Sequence, residues 1–286
     1  MTLNTHPLEK FGDQWVPDSV GVFEDTDSVS LTEALSSLKN LNESALKQSL
    51  KIDRASVVAL RAFAKDNGFT YNDNIHHFRD MTSKPGPAWT SGTHDGLLLH
   101  AISGAMYGYG ISMSALYKSN GSSATINDVQ KYKVWKMGIV RVQLNKVFPQ
   151  VLLDSNKNDR GIFSSVHGSF KDSQRVELEG GFSDSFDFYS PHKLHVNTLT
   201  ILAPNFMQII KDSSAVFDVE IIGSELILTT YDPLFTVGVM NTVDIALQEQ
   251  LKYMQRLEQS WSYTPIRPPY DLLRKDALGG QKIKIG

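Results

Sequence analysis

Cysteine is missing from all 286 residues. That excludes disulfides, thiolate metal centres, thiol nucleophiles and cysteine-held iron–sulfur clusters together. Long hydrophobic runs are missing too. The most apolar stretch, residues 97–116, is interrupted by His100, Gly104, Gly108, Gly110 and by Ser103, Ser112 and Ser114. A membrane-spanning helix needs about 20 predominantly apolar residues, so none is expected. Met106, Tyr107, Tyr109 and Met113, set among glycines, suit sheet packing instead. The first residues have neither a basic start nor an apolar run, so no secretory leader is expected. Charge of one sign is also lacking: 28 basic residues face 31 acidic ones, for a net charge of −3. With a pI near 6.2, general electrostatic or sequence-specific nucleic-acid binding is not expected. The location that follows is cytoplasmic, with peripheral contact at the inner membrane face as a variant.

Hydrophobic residues make up 41% and charged residues 21%, an ordinary globular balance. Residues 1–52 read as an acidic, partly helical N-terminal arm. Asp13, Asp18, Glu24, Asp25 and Asp27 open it, and Leu31, Leu35, Leu38, Leu41 and Leu46 recur at helical spacing. Residues 53–262 read as one α+β core domain. Residues 263–286 read as a Pro-rich, basic tail, with Pro265, Pro268 and Pro269 followed by Arg274, Lys275, Lys282 and Lys284.

Within the core, Asp53 suits a helix N-cap and Gly68 the position just past a helix end. Phe69–Tyr71 reads as a strand. Residues 72–95 read as a loop, with a strand from Ala88 to Thr93. Strands are expected at Leu97–Ser103, Met106–Tyr117, Tyr132–Leu144 and Val147–Leu153, paired as an antiparallel meander. Val176–Leu178, Phe186–Tyr189 and Leu199–Ala203 read as strands as well. Pro204 then opens a short helix, since proline is tolerated at the first helical position. Val216–Ile222 and Glu225–Thr230 read as a hairpin joined by Gly223-Ser224. A long helix closes the core at about Trp261. Val243, Leu247, Leu251, Met254, Leu257 and Trp261 share its inner face, and Gln248, Glu249, Lys252 and Glu258 lie outside it. The fold class is therefore α+β: a predominantly antiparallel sheet, a helix near the start of the core, a short central helix and a long C-terminal helix.

Several blocks occur in a set order: Phe148–Ser155, Val176–Phe182 leading into Phe186–Ser190, Thr200–Met207 and Phe217–Ile222. Ala59–Tyr71 precedes them. In this order they resemble a family of uncharacterised bacterial proteins of Gram-positive and candidate-phyla lineages. The resemblance implies a shared core over most of residues 53–262. Many members of that family are membrane-anchored, and this sequence departs from them there. It brings no catalytic residue, because the shared positions are mostly apolar, aromatic, Gly or Pro.

Few chemistries survive inspection. Asp154-x-Asn156-x-Asn158 begins like a calcium loop, but Asp159 stands where glycine belongs and Ser165 where glutamate belongs. These three residues remain weak ligand-binding candidates. His192-x-x-His195 follows Pro191 in a segment read as loop, and no third ligand stands nearby, so no metal is expected. His76-His77 would point its rings apart. Ser164, Ser165, His167 and Asp172 are close in sequence, which says little about a triad assembled in space. Gly104-x-x-x-Gly108-x-Gly110 lacks the lysine of a phosphate loop and reads as sheet glycines accepting close contacts. Glu177, Glu179, Asp184 and Asp187 read as solvated strand faces. Between residues 75 and 146, Arg79, Lys84, Lys118, Lys131, Lys133, Lys136, Arg141 and Lys146 outnumber Asp80, Asp95 and Asp128. Tyr117, Tyr132 and Trp135 interleave with them. Lys133 and Trp135 are the candidates there for an anionic ligand or lipid.

The reading that follows is a non-enzymatic binding or assembly module with a protein partner or a second copy of itself, and no cofactor. Two rivals stand beside it: a hydrolase built on carboxylates or a Ser/His pair, and peripheral lipid binding through the basic strands.

Overall fold

A computed structural model describes residues 64–72, 76–79, 88, 95–119, 134–158, 174–178, 181–191, 194–230 and 237–265. The N-terminal arm, the start of the first helix, Lys133, the Ser164–Asp172 stretch and the tail beyond Pro265 lie outside the described residues.

The fold is α+β, as the sequence implies. Eight strands are described: β1 (Thr70–Asn72), β2 (His76–Arg79), β3 (Asp95–Met106), β4 (Tyr109–Ser119), β5 (Val134–Ser155), β6 (Arg175–Val176), β7 (Phe186–Tyr189) and β8 (Asp218–Thr230). The helices are α1 (His195–Ile201), α2 (Pro204–Ser213) and α3 (Val237–Ser260). Hydrogen bonding orders the strands β1-β3-β4-β5-β7-β6, with β2 also on β3 and β8 also on β5. The residues divide into two compact units. The first comprises 1–84, 92–143 and 229–243; the second comprises 85–91, 144–228 and 244–286.

In the first unit the described helix end, residues 64–66, is closed by Gly68 at φ +69°. The Phe69 N–H donates to the Ala64 carbonyl at 2.7 Å and the Gly68 N–H to the Lys65 carbonyl at 3.4 Å. These are the paired bonds of a Schellman cap. Phe69 then lies against Gly104, where a Cβ would come within 2.4 Å of Phe69 Cδ1. The glycine reading of close contact holds at that position. β3 and β4 turn over Tyr107 (φ 53°) and Gly108 (φ 84°), with Met106 opposite Tyr109. Two positive φ angles in a two-residue loop give the twist a tight hairpin needs. The turn falls inside the strand expected from Met106. It was hidden because a tyrosine occupies the first left-handed position. β4 pairs with β5 from Gly110↔Gln143 to Ser119↔Val134. Ile111, Met113, Ala115, Val140 and Val142 are buried on one face, and Ser112, Ser114, Ile139 and Arg141 on the other. Arg141, one of the basic residues counted between positions 75 and 146, is therefore buried.

The structure corrects several local expectations. The loop expected over 72–95 contains β2, which pairs His76↔Leu98 through Arg79↔Asp95. Ala88 lies in a tight 3₁₀ turn and not in a strand. The strands expected at 132–144 and 147–153 are one strand, β5. Pro149 is accommodated between the residues paired with β4, which end at Gln143, and those paired with β7, which begin at Leu152. The hairpin expected at Gly223-Ser224 is instead one strand, β8, with Gly223 at φ +57°. A left-handed glycine inside a strand is the geometry of a bulge. Of Val176–Leu178, only Val176 is in β6.

The strand expected at Leu199–Ala203 is helix as far as Ile201, and so is His195, which was read as loop. Val196, Thr198, Thr200 and Ile201 favour strands by propensity. Burial follows the helical period instead: Leu194, Thr198, Ile201 and Leu202 are buried. The threonines also fit a helix by turning their hydroxyls onto its carbonyls. Thr198 Oγ1 reaches the His195 carbonyl at 2.8 Å, and Thr200 Oγ1 reaches the Val196 carbonyl at 3.2 Å. α2 opens on Pro204 as expected.

In the second unit α3 buries Ala246, Leu247, Gln250, Leu251, Tyr253 and Met254. Each large apolar side chain so buried is worth about 1.5–3 kcal/mol. Tyr253 stacks on Phe206 of α2 at 4.2 Å and donates its hydroxyl to the Ile201 carbonyl at 3.0 Å. Glu258 was expected outside but is buried. It accepts from Asn145 N at 2.7 Å and Asn145 Nδ2 at 3.0 Å. Glu258 is one residue along from the Leu257 of the apolar stripe, and the stripe alone does not reveal a polar partner on β5.

Candidate functional site: a buried acidic sheet face

In the second unit, alternation sorts the strand residues onto two faces. Val151 and Leu153 of β5, Phe186 and Phe188 of β7, and Val219 and Ile221 of β8 make one face apolar. The opposite face carries Gln150, Leu152 and Asp154 of β5, Asp187 and Tyr189 of β7, and Asp218 and Glu220 of β8. Register places Leu152 opposite Tyr189 and Asp154 opposite Asp187. All seven residues are buried, none more than 5% exposed. An antiparallel face that alternates with an apolar one is ordinarily wet, so burial of this one requires cover. Ala88 supplies part of it, packing with Leu152 and Tyr189.

Three of the acids on this face, Asp187, Asp218 and Glu220, are held by donors of the chain itself. Glu220 accepts from the Ala88 N–H at 2.9 Å and from Gln150 Nε2 at 2.5 Å. Asp218 Oδ1 accepts from the Ser155 N–H at 3.0 Å and from Asn158 Nδ2 at 2.7 Å. Asp187 accepts from the Arg175 guanidinium of β6. Like charges directly opposite destabilise a sheet, and the Arg175 cation beside Asp187 offsets that at the Asp154–Asp187 pair. Ser155 Oγ donates to the Ala215 carbonyl, tying the end of β5 to the approach to β8.

Burial pushes the Glu220 carboxyl up to about 8. The bonds from Gln150 and Ala88 pull the other way, and the Glu225 and Asp218 carboxylates add to the rise. Glu220 therefore keeps its proton near neutral pH, where an ordinary carboxyl would have lost it.

The residues singled out from sequence are distributed unevenly around this face. Asp154 is on it. Asn158 touches it through Asp218. Asn156 is exposed, with its N–H on the Ser185 carbonyl at 2.9 Å and its Nδ2 on the Ser183 carbonyl at 3.3 Å. Both asparagines thus give amide protons to protein acceptors, where a calcium loop would turn oxygens inward. Trp135 lies in β5 opposite Lys118, in the other unit. Of the four acids read as solvated, Glu177 and Asp184 are exposed, Asp187 is buried, and Glu179 lies outside the described residues. His195 Nε2 lies 3.3 Å from the Ser190 carbonyl. Among the described residues no three His, Asp or Glu groups are placed to hold a metal ion. None of their helices is long and apolar enough to cross a membrane.

Gln150, Arg175, Asp218 and Glu220 were not singled out from sequence. The signal was present in Asp218-Val219-Glu220-Ile221, an acid–apolar alternation. It reads as a half-wet strand unless something covers the acidic side, and Ala88 is 132 residues away from Glu220.

No family model matches the chain, and no curated protein matches it. Among solved structures, the crystal structure of the mycobacterial trehalose monomycolate transport factor A, TtfA, is similar with a TM-score of 0.47 and 10% sequence identity. The similarity covers 74% of this chain and 99% of that one.

Proposed function

We propose that this chain is a binding or assembly module whose partner is another protein or a second copy of itself. The observation that carries the reading is the contrast between its acids and its apolar surface. On the sheet face, Asp187, Asp218 and Glu220 spend their oxygens on the chain's own donors. On α1, Val196 is 79% exposed and Leu199, one turn on, is 42% exposed. Thr198 and Ile201 of the same helix are buried. Apolar side chains held outward on a rigid element suit contact with another macromolecule.

Sedimentation velocity of the full chain, alone and in lysate of its source, tests this. The reading expects a species larger than the monomer that Val196→Ser with Leu199→Ser abolishes while the melting temperature is kept. A monomer under both conditions would overturn it.

One observation favours the hydrolase rival. Glu220 keeps its proton near neutrality beside the Asp218 carboxyl, and a carboxyl protonated at neutral pH can serve as a general acid. Glu220 is only 3% exposed, so a substrate would reach it only if part of its cover, which includes Ala88, were displaced. A turnover abolished by Glu220→Gln in a folded protein would establish that reading.

A further inference from the structure

We propose that the partner met by α1 is a second copy of this chain, set against the first across a two-fold axis; the inference rests on the binding-module reading above and names its partner. α1 reverses the usual arrangement of an amphipathic helix. Its polar Thr198 is fully buried, while the apolar Val196 and Leu199 are exposed. The helix is also pinned in that orientation. The Thr198 hydroxyl lies 2.7 Å from Ser190 Oγ and 3.1 Å from the Leu194 carbonyl, and the Ile201 carbonyl accepts from the Tyr253 hydroxyl of α3. Val196 and Leu199 therefore cannot roll inward, and a partner binds them without first ordering them. At about 100° per residue, Val196, Asn197, Leu199 and Thr200 fill one outward arc, with Val196 and Thr200 at its middle. All four are exposed.

The charge pattern selects the second copy. From Leu194 to Ile210, through α1 and most of α2, there is no Asp, Glu, Lys or Arg, in a chain of which 21% is charged. Across a two-fold axis a patch meets itself, so a Lys or an Asp near its centre would face its like. Asn197 carries both donors and an acceptor and can bond to its own copy. Pro204 and Asn205, exposed at the start of α2, extend the uncharged stretch. The face is small beside the roughly 800 Å² per partner of a standard complex, so the pair forms and dissociates with concentration.

The chain has no cysteine, so one introduced on α1 is its only thiol. Val196→Cys and, separately, Thr200→Cys, each purified alone, should be joined into a covalent dimer by a short bis-maleimide. Lys252→Cys, at an exposed position of α3, gives the rate of chance collision. After normalisation to labelling by a mono-maleimide, at least one α1 site should cross-link about tenfold faster or more, because pairing raises the effective concentration of the two thiols. Adding Leu199→Ser should bring that rate down to the control. Rates at both α1 sites equal to that at Lys252, or a fast rate that Leu199→Ser leaves unchanged, would overturn the proposal. That failure is separable from failure of the binding reading. If the wild-type chain then sediments in lysate as a larger species that Val196→Ser with Leu199→Ser removes, only the second copy is wrong. A monomer there as well would remove both.

Discussion

Replacing Glu220 by glutamine should make the protein less sensitive to pH, in a direction and by an amount that follow from the site. In the unfolded chain this carboxyl titrates near its ordinary value of 4.5, and in the fold it is pushed up to about 8. The folded state therefore holds a proton that the unfolded state has released. Stability from this group is fully present below about pH 4.5 and is lost as the pH rises toward 8. Each pH unit in that window costs about 1.4 kcal/mol, or on the order of 5 kcal/mol across it. That is a large part of the roughly 5–15 kcal/mol that holds a domain. Glutamine keeps the shape and one acceptor oxygen for the Ala88 N–H. Its new amide can donate to Gln150 once that side chain turns its own oxygen inward. Urea titrations of both proteins at pH 5, 6, 7 and 8 measure the effect. The stability of Glu220→Gln relative to wild type should climb by about 1.4 kcal/mol per pH unit. Other carboxyls cancel in the comparison. A difference that stays constant with pH would refute the account of Glu220 as a buried neutral acid.

Further substitutions test separate parts of the structure. Gly104→Ala would push a Cβ to 2.4 Å from Phe69 Cδ1 and should cost about 1–3 kcal/mol by overpacking. Phe69→Leu in the same chain should restore part of the melting temperature, and a neutral Gly104→Ala would contradict the close approach. Leu247→Ala with Leu251→Ala removes two fully buried side chains of α3 and should cost about 2–5 kcal/mol each. The product should melt far lower or be insoluble; an unchanged melting temperature would show that this face is not core. Glu258→Ala leaves Asn145 N and Nδ2 without their acceptor and should cost about 1–3 kcal/mol in chemical denaturation. No loss there would mean that water replaces Glu258 at this point.

The sequence carried the parts of the fold that local patterning decides. Pro204 marked the start of α2, Gly68 marked a helix end, and the stripe of Leu247, Leu251 and Met254 marked the inner face of α3. Where propensity and burial disagreed, propensity misled. Leu199–Ala203 read as a strand, and packing of Leu194, Thr198 and Ile201 made a helix of His195–Ile201. Breaks were also overestimated, because the gap expected between Leu144 and Val147 and the turn expected at Gly223 both lie inside a continuous strand. The acidic face was the least legible part. Asp154 was noticed for a calcium-like spacing, not for the register that sets it opposite Asp187. Alternation in β8 shows that Asp218 and Glu220 share a side. Whether that side meets water depends on its cover, of which Ala88 is part, and no local pattern connects residue 88 to residue 220.

The central claim is that the acids of the sheet face serve the fold and that the chain works through its surface. It is tested most directly by comparing two variants in one native-mass measurement. Light scattering coupled to size-exclusion chromatography would be run on the chain with its partner or its second copy, for Val196→Ser/Leu199→Ser and for Glu220→Gln. The account predicts that the surface variant loses the assembly with its melting temperature intact, and that Glu220→Gln keeps the assembly while its stability changes with pH as worked out above. Loss of the assembly in Glu220→Gln, with the surface variant unaffected, would contradict it.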